Sequence, residues 1–249
     1  MERSTETVLP SPGREVLPLA TVLPRAWIGF SQAPWHSLGL SALTLLAAIG
    51  PGVLASDLRT SDLPLIVALG DLLVAASFLL PIGPLMALLD LADQLLPAAS
   101  SERSPSRIAR PDHQPRLLWL WRQGLALLTL EGLIFIGAFS SIRLISWLLL
   151  GQSPVLAGAS VLLGSLATAL WGTGQVLALP LLVHHHHRPL AAMDHSRRIV
   201  QANRLKILAL IGLLLGLNAL GLMGACLGLL FSLPLSALVL MASCRTQIC

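Results

Sequence analysis

Polar residues come in short clusters along this chain, and the intervals between them are apolar for about 20 residues, the length a helix needs to cross a bilayer. Six such intervals stand out. "WHSLGLSALTLLAAIGPGVLAS" is the first, and the tight polar loop "DLRTSD", Asp57 to Asp62, follows it. "LPLIVALGDLLVAASFLLPIGPLMALL" is the second, predicted to bend or extend near Pro81 and Pro84. "LLWLWRQGLALLTLEGLIFIGAFSSI" and "SPVLAGASVLLGSLATALWGTGQVLALPLLV" are the third and fourth. "ILALIGLLLGLNALGL" and "GACLGLLFSLPLSALVLMAS" are the fifth and sixth, joined by a very short turn.

Two further segments mix polar and apolar positions too closely to span. Leu17 to Trp35 carries Trp27, Phe30 and Trp35 beside Arg25 and Gln32, and "RPLAAMDHSRRIVQANRLK" starts with Pro189 at its first turn. Both read as amphipathic helices lying in the membrane interface. The expected fold class is therefore all-α membrane, with about six transmembrane helices and two interfacial helices. Residues 1–16 read as a disordered cytoplasmic terminus, and 17–249 as one polytopic domain. The Ser/Pro/Arg-rich segment 97–116 is expected to be a cytoplasmic linker between its halves.

Composition supports lipid as the solvent. Of 249 residues, 55% are hydrophobic and 11% charged, against about 25% charged in soluble domains; the mean hydropathy is +0.78. The net charge of +4 does not imply a nucleic-acid partner, because the basic residues cluster beside apolar runs. With six spans, 14 of the 16 Lys and Arg fall on one side, leaving Arg59 and Arg143 on or near the other. Enrichment of Lys and Arg in cytoplasmic loops puts both termini in the cytoplasm. A bacterial plasma membrane is the default location, with a thylakoid or other internal bacterial membrane as the alternative. The three cysteines, Cys226, Cys244 and Cys249, suggest no disulfide framework. "MERSTETVLPSPGREV" lacks the apolar centre of a signal peptide, so the first spans are expected to be retained.

The chain partly repeats itself. "PLMALLDLA" from Pro84 and "PLSALVLMA" from Pro234 share Pro-Leu-x-Ala-Leu and a later Ala, and a third Pro-Leu occurs at Pro180. An interfacial helix feeding a span lies upstream of the first and last copies. Duplication of a helix-span-span unit is one account; chance likeness between Leu-rich segments is the other.

Asp71 and Glu131 are the acids placed within spans, where charge is costly and faces protein, water or a partner. Arg143 stands 12 residues after Glu131, about 18 Å along a helix and about 120° around it, too far to pair with it directly. Ser196 and Asn203, seven apart, share a helical face with Met193, Ile199 and Val200, while Asp194, His195, Arg198 and Gln201 fall opposite. Two polar residues on a buried face predict hydrogen bonds to neighbouring helices. The run His184 to His187 is read as interfacial loop residues with pH-dependent charge. Adjacent side chains diverge, so no metal site is assigned. Small residues at Gly158, Gly164, Gly172, Gly174, Gly212, Gly216, Gly221, Gly224 and Gly228 are candidates for close helix approach. No nucleophile elbow, zinc-protease motif or phosphate loop appears, so no catalytic residue or cofactor is expected.

The segments "AWIGFSQAPWHSLG", "PIGPLMAL", "LALPLLV", "HSRRIVQANRLKILAL" and "LGLLFSLPL" resemble those of an uncharacterised family of bacterial integral inner-membrane proteins, a six-helix domain of unknown function. The resemblance covers roughly residues 20–245. It implies that Ser196 and Asn203 occupy the family's Ser and Asn positions on the amphipathic helix, and that Pro180 and Pro234 are its helix-end prolines. Two departures stand out. "HHHH" replaces the acidic-basic pair that commonly follows the Pro180-type proline, and "MASCR" lacks the final aromatic residue. The family supplies no activity. The expected function is a scaffold or accessory protein binding membrane lipids and other membrane proteins. The alternative is a transporter or channel component using Asp71 and Glu131, which would then line one polar path.

Overall fold

The computed structural model describes residues 19–61, 63–96, 113–185, 187–224 and 227–245. The expected disordered terminus and most of the 97–116 linker lie outside the described residues. Those residues form ten helices and no strand. The helices are α1 (Leu19–Gln32), α2 (Pro34–Leu58), α3 (Pro64–Leu79), α4 (Ile82–Leu95), α5 (His113–Leu150), α6 (Pro154–Thr173), α7 (Ala178–His185), α8 (Pro189–Ala202), α9 (Arg204–Met223) and α10 (Leu227–Arg245). Four of them, α2, α3, α6 and α8, begin on a proline, whose fixed φ suits the first turn and whose missing N–H is not needed there. α5 takes in the last four residues of the expected linker.

Six stretches are long and apolar enough to cross a membrane: Pro34–Leu58, Pro64–Leu95, Leu118–Leu150, Pro154–His185, Arg204–Met223 and Leu227–Arg245. These are the six spans the hydrophobic pattern predicts. The second and fourth are broken rods. α3 and α4 meet at Leu80–Pro81, where Pro81 lacks the N–H that would extend the ladder, although its backbone stays helical at φ −68, ψ −14. α6 ends at Thr173, and Gly174 to Leu177 form turns before α7 resumes. Gly172 and Gly174 weaken helix propensity there, and Pro180 cannot donate back to the turn. Each of these 32-residue rods would measure about 48 Å if straight, against a hydrocarbon layer of about 30 Å. That leaves length for α4 and α7 to reach the headgroup layer.

The buried residues gather at one end of the molecule. α10 lies at the centre, touching α9, α1, α4, α2 and α7. Its Leu238, Met241 and Ala242 meet one cluster with Met86, Leu89 and Ala92 of α4 and Leu181 and Val183 of α7. α1 presses Val22, Ala26 and Phe30 into the same cluster while Leu23 and Trp27 stay exposed. It is thus both packed on protein and apolar outward, as a short helix at an interface must be. The far halves of the rods are different: from Leu128 to Leu150 no residue of α5 is buried, and Leu133, Leu144, Leu148 and Leu150 are exposed.

The Pro84 and Pro234 copies occupy the same buried register. Met86, Leu88, Leu89, Ala92 and Asp93 are buried in α4, and Ser236, Leu238, Val239, Ala242 and Ser243, each 150 positions later, are buried in α10. A second correspondence lies upstream. The α1–α2 elbow breaks at Ala33 with φ −144, ψ 62, and the α8–α9 elbow breaks at Asn203 with φ −127, ψ 37.

The α9–α10 hairpin closes on small and polar residues. A Cβ on Gly228 would collide with the backbone of Gly221, 2.7 Å from its Cα. One layer deeper, Ser232 Oγ donates to Asn218 Oδ1 at 3.0 Å, and Asn218 Nδ2 donates to Ser236 Oγ at 3.2 Å. Gly164 likewise admits Ile142 of α5, since a Cβ there would stand only 2.5 Å from Ile142 Cγ1. The expectation for Gly158, Gly212 and Gly216 is corrected: a Cβ there would meet nothing within 4 Å, so these glycines sit on outward faces.

Candidate functional site

The three Pro-Leu helices α4, α7 and α10 touch one another pairwise, and their ends converge on one carboxylate. Asp93 of α4 is 3% exposed. Its Oδ1 accepts from His184 Nδ1 of α7 at 2.7 Å and from Arg245 Nε of α10 at 3.1 Å. The other guanidinium nitrogens of Arg245 donate to the backbone carbonyls of Asp93 and Leu96. Those carbonyls belong to the end of α4, where the last turn has no partners of its own. A cation there also complements the negative end of the helix dipole. One arginine therefore neutralises a buried acid and caps a helix. The carboxylate in turn settles the tautomer of His184, whose Nδ1 must carry the proton to donate.

The pattern of the sequence does not single out Asp93, because "LLDLADQLL" reads as the frayed end of a span. The available signal is positional: Asp93 lies nine residues after Pro84, and Arg245 lies eleven after Pro234, at matching ends of the repeated segments.

The residues selected from sequence are dispersed. Asp71 lies on α3 and bonds Arg59 of the α2–α3 turn, with Nε to Oδ1 at 2.9 Å. Gly70 leaves room for that arginine, since a Cβ there would stand 3.1 Å from Arg59 Cγ. Both partners are half exposed or more, at 60% and 50%. Glu131 lies on α5 with no charged partner among the described residues, and no bond or ion pair joins it to Asp71. Arg143 lies three turns further along α5 and is exposed.

α8 follows the predicted wheel. Ala192, Met193, Ser196, Ile199 and Val200 are buried, while Asp194, Arg198 and Gln201 are exposed. Asp194 and Arg198 pair at 2.7 Å. Ser196 Oγ donates to the Gly174 carbonyl at 2.7 Å, fastening α8 to the break between α6 and α7. Asn203 is buried, and its Nδ2 donates to the Ile199 carbonyl at 3.3 Å.

The histidine run is not a loop throughout. His184 and His185 end α7; His186 lies outside the described residues. The ring of His185 lies 4.7 Å from that of His184, 5.1 Å from that of His187 and 5.8 Å from that of His195. His187 and His195 stand 5.6 Å apart. Burial and the neighbouring His195 hold His187 below the usual histidine range. Among the described residues, no three His, Cys, Asp or Glu groups are placed to hold a metal ion. Cys244, near the end of α10, is a free and buried thiol. The arrangement is suited to holding three helix ends together.

No family model matches the chain, and neither a curated protein nor a solved structure matches it.

Proposed function

We propose that the chain is a multi-pass membrane scaffold or accessory protein that binds lipids and other membrane proteins. The observation that carries this reading is the division of its surface. Polar groups concentrate at the ends of α4, α7, α8 and α10, while Leu133, Ile136, Phe139 and Trp147 on α5 and Leu162, Leu163, Leu166 and Leu170 on α6 stand exposed. Such faces suit contact with acyl chains or with helices of another membrane protein. The transport alternative draws no support from Asp71, which is engaged by Arg59, or from Glu131, which stands apart from it. In this proposal the Asp93–Arg245 end faces the bacterial cytoplasm, the side that the distribution of arginines favours.

Purification of the full chain from membranes in mild detergent tests this. Stoichiometric co-purification of a membrane protein supports the reading. Recovery of the chain as a detergent-free monomer in buffer overturns it. A tag at Ser100 that is accessible only from outside intact cells overturns the orientation.

A further inference from the structure

A cavity of about 500 Å³ opens where α6 ends beside the α8–α9 elbow. Arg197 and Gln201 of α8 and Arg204, the first residue of α9, line its polar part. Trp171, Leu208 and Ile211 line its apolar part. The wall at Trp171 is braced, because its indole packs edge-on against Phe135 at 5.2 Å between ring centres.

The elbow builds the site. The break at Asn203 turns the chain from the interfacial helix α8 into the span α9, and so places Arg204 on the same cavity as Arg197. Arg198, the neighbour of Arg197, is paired with Asp194 at 2.7 Å. Arg197 and Arg204 have no carboxylate partner among the described residues. From Arg204, α9 descends about 10 Å to Ile211, two helical turns. The cavity thus has two uncompensated guanidinium groups at headgroup level and an apolar floor running into the hydrocarbon. Leu205 and Leu208 are exposed, so the floor is open sideways to lipid.

We propose that this cavity holds one anionic glycerophospholipid of the surrounding leaflet, its phosphate between Arg197 and Arg204 and an acyl chain along Leu208 and Ile211. Charge complementarity selects the headgroup, and the apolar floor selects a lipid over a free phosphate. Basic pockets between helices on the cytoplasmic side are the usual setting for such recognition. The inference rests on the membrane reading above.

The test is native mass spectrometry of the full chain in detergent, titrated separately with phosphatidylglycerol, phosphatidylcholine and inorganic phosphate. One phosphatidylglycerol should bind in clear preference to phosphatidylcholine. R197Q/R204Q should weaken it about thirtyfold, the effect of two interfacial arginines. R198Q, which removes the same type of charge outside the cavity, should not. L208W should weaken the lipid by obstructing the floor with no change of charge, and it decides the matter where the double variant does not fold. Equal binding of the two lipids overturns the proposal. So does an equal loss in R198Q, unchanged binding in L208W, or inorganic phosphate binding as tightly as the lipid. A chain that never partitions to membranes would instead defeat the membrane reading itself.

Discussion

Arg245 and Asp93 are 152 residues apart in sequence, and the guanidinium Nε of one lies 3.1 Å from the carboxylate of the other. Their side chains are 12% and 5% exposed. Removing one member of a buried pair leaves the other charge uncompensated, at a cost of roughly 3–5 kcal/mol. Arg245→Gln should therefore sharply lower thermal stability in detergent, and it also uncaps α4. Asp93→Asn in the same chain should recover part of the loss, because the stranded carboxylate is gone. Thermal unfolding of the two single variants and the double variant checks this; additive losses would show that the two residues are not coupled.

Ser196 should behave differently from the exposed polar residues of α8. Its hydroxyl is buried and bonds the Gly174 carbonyl at 2.7 Å. Ser196→Ala leaves that carbonyl without its partner, which costs roughly 1–3 kcal/mol. Gln201→Ala, on the exposed face, should cost under about 0.5 kcal/mol. Equal melting temperatures for the two variants would contradict the assigned role of the hydroxyl.

Much of this architecture is legible in the pattern of apolar positions. The six spans, the prolines opening helices and the buried face of α8 all follow from local periodicity, because a helix face depends only on residues within a few turns. What local pattern does not carry is which helix ends meet. Asp71 looks isolated within an apolar run until the α2–α3 hairpin brings Arg59 beside it. Asp93 looks peripheral until α7 and α10 bring His184 and Arg245 to it. Gly212 and Gly216 have the spacing of a packing motif, yet face outward. Which face of a helix meets a neighbour depends on long-range packing, not on the spacing of its own small residues.

The glycines of the last hairpin therefore separate into two kinds. Gly228→Ala puts a methyl against the Gly221 backbone, with no flexible side chain to yield. The expected loss is about 1–3 kcal/mol, the range for overpacking. Gly212→Ala meets nothing within 4 Å and should be neutral or up to about 1 kcal/mol stabilising through helix propensity. Thermal unfolding of both variants decides it; a Gly212→Ala loss as large as that of Gly228→Ala would mean that Gly212 sits in an interface between copies.

His187, two residues beyond the end of α7, should make stability depend on pH in one direction. Burial, with His195 nearby, lowers the His187 pKa in the folded chain below the ordinary 6.5. The unfolded chain then binds a proton at a higher pH than the folded one. By linkage, stability rises with pH wherever the unfolded state holds more protons. The contribution of His187 is thus fully present well above pH 6.5 and declines as the pH falls through 6.5 toward the lowered folded value. His187→Gln removes the titrating group, and His195→Gln removes part of the cause of the shift. Melting temperatures of the parent chain between pH 8 and pH 5 should fall below about pH 6.5, and both variants should flatten that fall. An unchanged slope in His187→Gln would assign the acid sensitivity to another group.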